Sequence, residues 1–203
     1  VIQSPITDIS ANAYSICQEG SITFQGIETV PDTSVLRWSW DFANGQQSLL
    51  QNPTPQLYRS PGTFTVRLVT TNSSGCTDTT NQLITINPLP FVVAAPDYTI
   101  CLGESVQLNA TGASSYLWLP PANNLSCNNC PNPIATPTAT TIYRVTGTSA
   151  FGCERTDSAI ITVIQPSTVV APPDDSLCLG QNLVLRATGT QVYSWSPSTG
   201  LNN

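Results

Sequence analysis

The seven cysteines are the residues whose chemistry is easiest to define in this sequence. Among its 203 residues there is no histidine, and only 12 are acidic. Without histidine there is no Ser-His-Asp or Cys-His arrangement, and no GxGxxG, phosphate-binding loop or HExxH motif occurs. Cysteine without histidine favours disulfides in an oxidising compartment over a zinc centre. We therefore expect a protein that is not an enzyme.

Four cysteines occur as two equivalent pairs along the chain. Cys17 and Cys101 each open a strand-like run, whereas Cys76 and Cys153 each follow a glycine and precede an apolar run. Because each pair joins an early strand to the last turn before the final strand, we predict the disulfides Cys17–Cys76 and Cys101–Cys153. Each would contribute about 4 kcal/mol in the chain-entropy relation. Cys178 is left over, and we expect its partner to lie outside this segment.

Cys127 and Cys130 form a CNNC motif that is followed by proline. We favour a local disulfide that ties an Asn/Pro-rich loop. Half of a metal site is an alternative, although zinc needs four ligands and no second CxxC is present. A thioredoxin-type redox pair is another, although that motif opens a helix and none is evident here. Free thiols are the remaining alternative.

The chain repeats one unit about two and a half times. The stretch from Cys101, CLGESVQLNATGASSYLWLPPANNL, returns from Cys178 as CLGQNLVLRATGTQVYSWSPSTGLN, an offset of 77 residues (178 minus 101). A weaker copy, CQEGSITF, starts at Cys17. Prolines mark the joints between copies, and proline stiffens a short linker. The predicted units are 1–87, 88–165 and 166–203, the last an incomplete copy.

Each unit has the pattern of short β-strands. Runs such as SVQLNA, TIYRVTG and FTVRLVT alternate or are continuously apolar, with β-branched and aromatic residues. Turn residues recur every 8–12 residues or so, and about seven strands in such a unit is the count of an immunoglobulin-like sandwich. We therefore predict an all-β chain of tandem, disulfide-linked sandwiches. The predicted core tryptophans are Trp38, Trp40, Trp118 and Trp195.

Acidic residues at repeated positions raise the question of a bound cation. Asp97 and Asp174 lie at the same place before their opening cysteines, and Asp41 follows a tryptophan at a hairpin. We interpret these residues as turn or cap residues. The more specific alternative is a calcium ion that bridges the joint between units. No other metal and no organic cofactor is expected.

Charge and hydropathy exclude two classes of partner. The net charge is −6, and the 6 basic residues are scattered singly, so no basic stripe exists for nucleic acid. No apolar run approaches the 18 or so residues of a membrane span. Only 9% of residues are charged, against about 25% in an ordinary soluble domain. This composition is typical of extracellular β-repeat proteins.

The first unit carries motifs of a known family, namely WDFANG at 40–45, Asn52-Pro53, Tyr58, PGTFTV at 61–66, and Asn72 to Cys76. These motifs resemble the PKD domain, an immunoglobulin-like sandwich. The usual WDFGDG motif of that family has glycine and aspartate where this sequence has Ala43 and Asn44.

The second and third units resemble the cysteine-containing repeats of very large Bacteroidota surface proteins. The residues that carry this resemblance are Cys101-Leu102-Gly103, Tyr116-Leu117-Trp118, Asn132-Pro133, Thr140 to Tyr143, Gly152-Cys153, and Ser194 to Pro197. The resemblance implies an exported adhesin or fibre of the bacterial cell surface, associated with gliding motility and type IX secretion. It also implies O-glycosylation at Asp-Ser/Thr-X sites, here Thr79, Ser158 and Ser176.

We therefore predict a non-catalytic structural or adhesive segment of a long secreted protein, in a stalk, adhesin or filament. The alternative is a spacer or carbohydrate-binding module of an exported hydrolase. The expected partners are neighbouring repeats of the same chain, identical chains in a filament, or a surface polysaccharide.

Overall fold

A computed structural model describes residues 4–29, 35–119, 124–171, 173–176, 178–189, 192–197, 199 and 201. In these residues the regular elements are β-strands, which confirms the predicted all-β class. In chain order they are β1 (Thr7–Ala11), β2 (Ser15–Cys17), β3 (Ser21–Ile22), β4 (Phe24–Glu28), β5 (Val35–Asp41), β6 (Gln47–Ser48), β7 (Gln56–Leu57), β8 (Gly62–Asn72), β9 (Thr77–Asn87), β10 (Tyr98–Cys101), β11 (Val106–Gln107), β12 (Ser115–Leu119), β13 (Ile134–Ala135), β14 (Thr141–Thr148) and β15 (Glu154–Ile164).

Strands β1 to β9 build the first sandwich. Its larger sheet has the order β2-β9-β8-β5-β6, and the opposite layer consists of the pairs β1-β4 and β3-β7. The neighbours in these sheets are antiparallel except for β2, which runs parallel to β9. The parallel strand determines where the first cysteine lies, as described below.

Strands β10 to β15 build the second sandwich on the same plan. Its larger sheet has the order β10-β15-β14-β12, and β11 pairs with β13 in the opposite layer. Here β10 runs parallel to β15, as β2 does to β9. An isolated bridge between Val93 and Thr111 adds to the opposite layer.

Each sandwich has its own hydrophobic core, because alternate residues of the long strands point between the layers. In β8, Val66 and Leu68 are fully buried, and in β15 Ala159 and Ile161 are fully buried. The first core also contains Phe24, Trp40, Phe42, Tyr58, Ile84 and Ile86. The second contains Leu108, Trp118, Tyr143 and Val145.

The described residues after 165 begin a third copy of the same plan. A bridge joins Val170 to Thr188, with backbone hydrogen bonds of 3.0 and 3.1 Å in the two directions. It repeats the Val93–Thr111 bridge at the 77-residue offset (170 minus 93). The predicted unit boundaries stay a prediction. No helix in the described part of the chain is long and apolar enough to cross a membrane.

Candidate functional site at the joint between the sandwiches

The cysteines cross-link the two sandwiches to each other. Cys17 and Cys153 form a disulfide with 5.6 Å between their Cα atoms and a sequence separation of 136. Cys76 and Cys101 are free thiols. The predicted disulfides Cys17–Cys76 and Cys101–Cys153 are therefore wrong.

The parallel strands explain why Cys17 cannot bond to Cys76, nor Cys101 to Cys153. Strand β2 places Cys17 beside the last residue of β9, whereas Cys76 directly precedes the first. Eleven residues of strand lie between these ends, or about 35 Å at about 3.3 Å per residue. Cys101 and Cys153 lie in the same way at opposite ends of β15. A disulfide needs Cα atoms within about 7 Å, so each sandwich carries its two cysteines at opposite poles.

Each of the three cysteines that open the repeats is the first residue of a turn, and the three turns have the same backbone conformation. The carbonyl oxygens of Cys17, Cys101 and Cys178 accept hydrogen bonds from the backbone N–H three residues later, at 3.0, 3.1 and 3.1 Å. The second residue after each cysteine has a positive φ, which favours glycine. These φ angles are 67° at Glu19, 91° at Gly103 and 86° at Gly180. The three cysteines therefore share one local backbone conformation, which we call the opening turn.

The Gly-Cys cysteines share a second conformation, which we call the closing hairpin. The backbone N–H of Asn72 donates to the carbonyl oxygen of Cys76 at 3.0 Å, and that of Ser149 donates to Cys153 at 2.8 Å. In return, the Asn72 Oδ1 and the Ser149 Oγ accept hydrogen bonds from the cysteine N–H groups at 2.9 and 3.2 Å. Sequence reasoning missed both acceptors. The signal was a polar residue four positions before each Gly-Cys cysteine.

Asn87, the last residue of β9, lies beside the disulfide and is held by hydrogen bonds within the first sandwich. The carbonyl oxygen of Asn87 accepts a hydrogen bond from the Gln18 N–H at 2.8 Å and lies 4.0 Å from the Cys153 Sγ. The Asn87 amide donates to the Ser15 Oγ at 2.9 Å. Because Cys153 is fully buried, the disulfide is shielded from solvent on the side of the second sandwich.

Cys127 and Cys130 form a disulfide, which is the local bond that their CNNC spacing favours. Trp118 is anchored to this loop, since its backbone N–H donates to Asn128 at 2.7 Å and its indole N–H to the Cys130 carbonyl at 3.1 Å. In the first sandwich the Trp40 indole donates in the same way to a loop carbonyl, at 2.8 Å. The CNNC loop therefore helps to hold a core tryptophan.

The four tryptophans do not share one role. Trp40 and Trp118 are fully buried, and they are the equivalent residues of the two cores. Trp38 is half-buried, and its ring lies so close to Gly26 that a Cβ at that position would overlap it. The prediction that Trp195 is a core residue is wrong, because its side chain is 38% exposed. Among the described residues of the third copy, the β-pairing is the isolated bridge between Val170 and Thr188.

The aspartates act as acceptors for backbone N–H groups. The Asp78 Oδ2 accepts a hydrogen bond from the Thr7 N–H at 2.7 Å, and the Asp157 Oδ2 accepts one from the Ala94 N–H at 2.8 Å. Each aspartate thus connects the last strand of its sandwich, β9 or β15, to the segment that begins the same sandwich. Asp41 has the predicted turn role, since it accepts the Ala43 N–H at 2.9 Å. In the described part of the chain no three acidic, cysteine or histidine side chains gather where they could hold a metal.

Asp97 and Asp174, which we considered for calcium, lie in separate repeats. The Asp97 Oδ1 accepts the backbone N–H of Ile160 at 2.8 Å, which ties the segment before β10 to β15. Asp174 is exposed.

A cleft of about 600 Å³ lies beside the WDFANG turn of the first sandwich. Its inner wall includes Tyr58, whose hydroxyl donates to the Phe42 carbonyl at 3.0 Å. Burial, and next the charge of Asp41, raise the pKa of Tyr58 to about 12. A tyrosine with this pKa stays protonated at neutral pH, so it acts here as a hydrogen-bond donor that holds the turn.

The three candidate glycosylation residues are exposed. Thr79 and Ser158 each follow an aspartate in a last strand, and Ser176 follows Asp175 in the third repeat. The Oδ1 atoms of these aspartates accept the N–H of the hydroxyl residue at 2.8 Å. The hydroxyl groups are thus accessible to a modifying enzyme, and glycosylation stays a prediction.

The first sandwich is a PKD domain. Residues 2–86 match the family described as PKD domain, which confirms the resemblance read from the WDFANG motif. The PKD1 domain of Vibrio anguillarum Epp is 25% identical, with 43% of this chain and 99% of that one covered and a TM-score of 0.38. PKD domains are a non-catalytic domain type.

Longer alignments extend over both sandwiches. The human dyslexia-associated protein KIAA0319 is 26% identical over 185 residues, which cover 77% of this chain and 17% of that protein. The chain thus spans less than a fifth of this relative. The C-terminal 282-residue fragment of intimin has a TM-score of 0.50 at 14% identity, with 83% of this chain and 67% of that one covered, a likeness that shows the fold alone. The PKD domain and the disulfides indicate an extracellular protein.

Proposed function

We propose that this chain is a non-catalytic structural or adhesive segment of a long secreted surface protein, in which disulfide-linked sandwiches form a stalk, an adhesin or an extracellular filament. The observation that carries the proposal is the disulfide between Cys17 and Cys153, which joins one sandwich to the next. A disulfide placed only for domain stability would lie within one core. Here the bond fixes two neighbours to each other, which is a mechanical role.

The surroundings of the joint support this role. The connection from β9 to β10 contains Pro88 and Pro90, and proline restricts the backbone of a linker. Pro90 is buried, so the linker packs against a sandwich. The disulfide and the linker together connect the sandwiches at two points, which restricts bending and twisting far more than a single covalent connection does.

The location fits the same proposal. A bacterial cell surface is an oxidising environment in which disulfides persist, and the exposed Thr79, Ser158 and Ser176 are available for glycosylation there. We propose export to this surface, by the type IX route of the gliding-motility proteins that the repeats resemble. The partners in this proposal are neighbouring repeats of the same chain or identical chains in a filament.

Amide nitrogen relaxation of residues 1–203 tests the coupling of the sandwiches. In the oxidised chain both sandwiches should have the same long rotational correlation time, because they tumble as one body. With the monomeric fraction of each form compared, Cys17→Ser should shorten the correlation time of each sandwich, whereas Cys76→Ser, which removes a free thiol, should leave both unchanged. If Cys17→Ser has no effect on tumbling, the disulfide does not couple the sandwiches and the proposed stalk role is wrong.

Carbohydrate binding is a second candidate, favoured by a cleft of about 490 Å³ on the first sandwich. The cleft is lined by the half-buried Trp38, by Arg37 and by the exposed Leu49. An aromatic face with a few polar groups nearby is a typical ligand-binding arrangement. A glycan array with the wild type and Leu49→Ala tests it. Binding that is lost in this surface variant would favour a carbohydrate-binding module, and a blank array would favour the stalk.

A further inference from the structure

We propose that Cys101 and Cys76 are two halves of further disulfides of the same kind as Cys17–Cys153. In this proposal an opening-turn cysteine always bonds to the closing-hairpin cysteine of the repeat that follows. Cys101 would bond to the closing hairpin of the next repeat, and Cys76 to the opening turn of the preceding one. The inference rests on the proposed stalk function and names the contact by which neighbouring repeats are joined.

Cys101 presents its thiol in the same setting as the bonded Cys17. Both cysteines end a strand that runs parallel to the last strand of their own sandwich. After each, the next backbone N–H donates to the last residue of that strand, from Gln18 to Asn87 at 2.8 Å and from Leu102 to Ile164 at 3.0 Å. Cys101 is exposed and free. Cys101, the counterpart of the cross-linked Cys17, is therefore accessible at the corresponding pole of the second sandwich.

Cys76 is likewise the counterpart of the bonded Cys153. Both end the closing hairpin, with the same backbone hydrogen bond and with a side-chain oxygen acceptor four residues before the cysteine, Asn72 Oδ1 or Ser149 Oγ. The two differ in burial, since Cys153 is fully buried at its disulfide and Cys76 is partly exposed as a free thiol. A repeat that docked on this pole would bury Cys76 as the first sandwich buries Cys153.

The free thiols of Cys76 and Cys101 are therefore complementary in type. One copy of the chain offers an opening-turn thiol at one end and a closing-hairpin thiol at the other. Bond formation removes a proton and an electron from each thiol, and the electrons reduce a disulfide oxidant such as oxidised glutathione to two thiols. The partner is thus a closing hairpin of the Cys76 or Cys153 type, in a second copy of this chain or in a following repeat.

The test oxidises the Cys178→Ser form of residues 1–203 in a glutathione buffer and maps its disulfides by peptide mass spectrometry. In the first arm the chain is alone, so only a second copy can supply the hairpin. We expect Cys101 of one copy bonded to Cys76 of another, in oligomers that are lost in both Cys76→Ser and Cys101→Ser. In the second arm a copy of residues 127–165 follows residue 203. There we expect Cys101 to bond within the chain to the added closing hairpin.

Either cross-link supports the proposal and identifies its source. Cys101 left as a thiol in both arms would overturn it. Bonds between like residues, Cys76–Cys76 or Cys101–Cys101, in amounts comparable to the unlike bond would also overturn it, because unselective oxidation needs no docking. These outcomes are independent of the tumbling of the Cys17→Ser variant, so failure of this inference leaves the test of the stalk function intact.

Discussion

Stretching a single chain from its two ends should show which residues the Cys17–Cys153 disulfide protects from force. Tension that reaches Cys17 passes directly to Cys153 through the bond, so the chain between them cannot extend. With a separation of 136 residues and at most about 3.6 Å per residue, reduction should release about 490 Å of extra contour length. Only the residues before Cys17 and after Cys153 remain extensible in the oxidised chain.

The assay is force spectroscopy with handles at residues 1 and 203, with and without a thiol reductant. Cys17→Ser should reach the full contour length without reductant. Cys76→Ser is the matched control, because it removes a free thiol and leaves the Cys17–Cys153 bond in place. Its extension should equal that of the oxidised wild type.

The released length distinguishes the possible pairings. Disulfides within each sandwich would keep about 210 Å of contour length between residues 17 and 76, and about 190 Å between residues 101 and 153, from extending until they are reduced. A release in these two steps would refute the joint between the sandwiches. Full extension of the oxidised chain would refute any long-range disulfide.

Three further predictions concern the folded sandwiches, and urea unfolding checks each one. Gly112→Ala should destabilise the second sandwich by about 3 kcal/mol or more, because its new Cβ would overlap a backbone carbonyl, whereas Gly103→Ala, with a similar positive φ but open space, should cost about 1–2 kcal/mol. Equal losses would contradict this. Trp118→Ala should cost about 3–5 kcal/mol, and the exposed Trp195→Ala at most about 0.5 kcal/mol. The raised pKa of Tyr58 favours the folded state below pH 10, so stability should fall as the pH rises from 10 to about 12. Tyr58→Phe should reduce this pH dependence, while burial also raises the pKa of Tyr143 and leaves a part of it; an unchanged dependence would assign it to another group.

Much of the fold follows from the sequence, because strand alternation and turn residues are local signals. The repeat at a 77-residue offset predicted equivalent elements, and the Val93–Thr111 and Val170–Thr188 bridges match that offset. The WDFANG motif predicted a PKD-type sandwich, which the family match confirms for residues 2–86.

The cysteine pairing could not be read from spacing alone. Equivalent positions of Cys17 and Cys101 and of Cys76 and Cys153 fit a bond within each repeat as well as a bond between repeats. The choice depends on whether the opening strand runs parallel or antiparallel to the last strand, since this decides which pole carries the cysteine. Strand direction is a tertiary property, and no local pattern in β2 or β10 reports it.

The tryptophans show a similar limit. Trp38 and Trp40 lie on the same face of β5, so the alternation of side chains along the strand predicts burial equally for both. The structure separates them because the indole N–H of Trp40 reaches the Leu50 carbonyl, while Trp38 packs over Gly26. For Trp195 the repeat predicted a buried residue, but burial needs an opposite layer as well as the right position.

The disulfide between the sandwiches has a consequence for damage by proteases. Every peptide bond from residue 17 to residue 153 belongs to a covalent ring that Cys17–Cys153 closes. The exposed Leu49 and Leu50 lie in this ring, at a loop that a protease could reach. Hydrolysis of one bond there would open the ring, yet the two fragments would stay attached through the sulfur atoms. After such a cut, the parts before Cys17 and after Cys153 would separate only if the Cys17–Cys153 disulfide were also reduced, and its Cys153 side is buried.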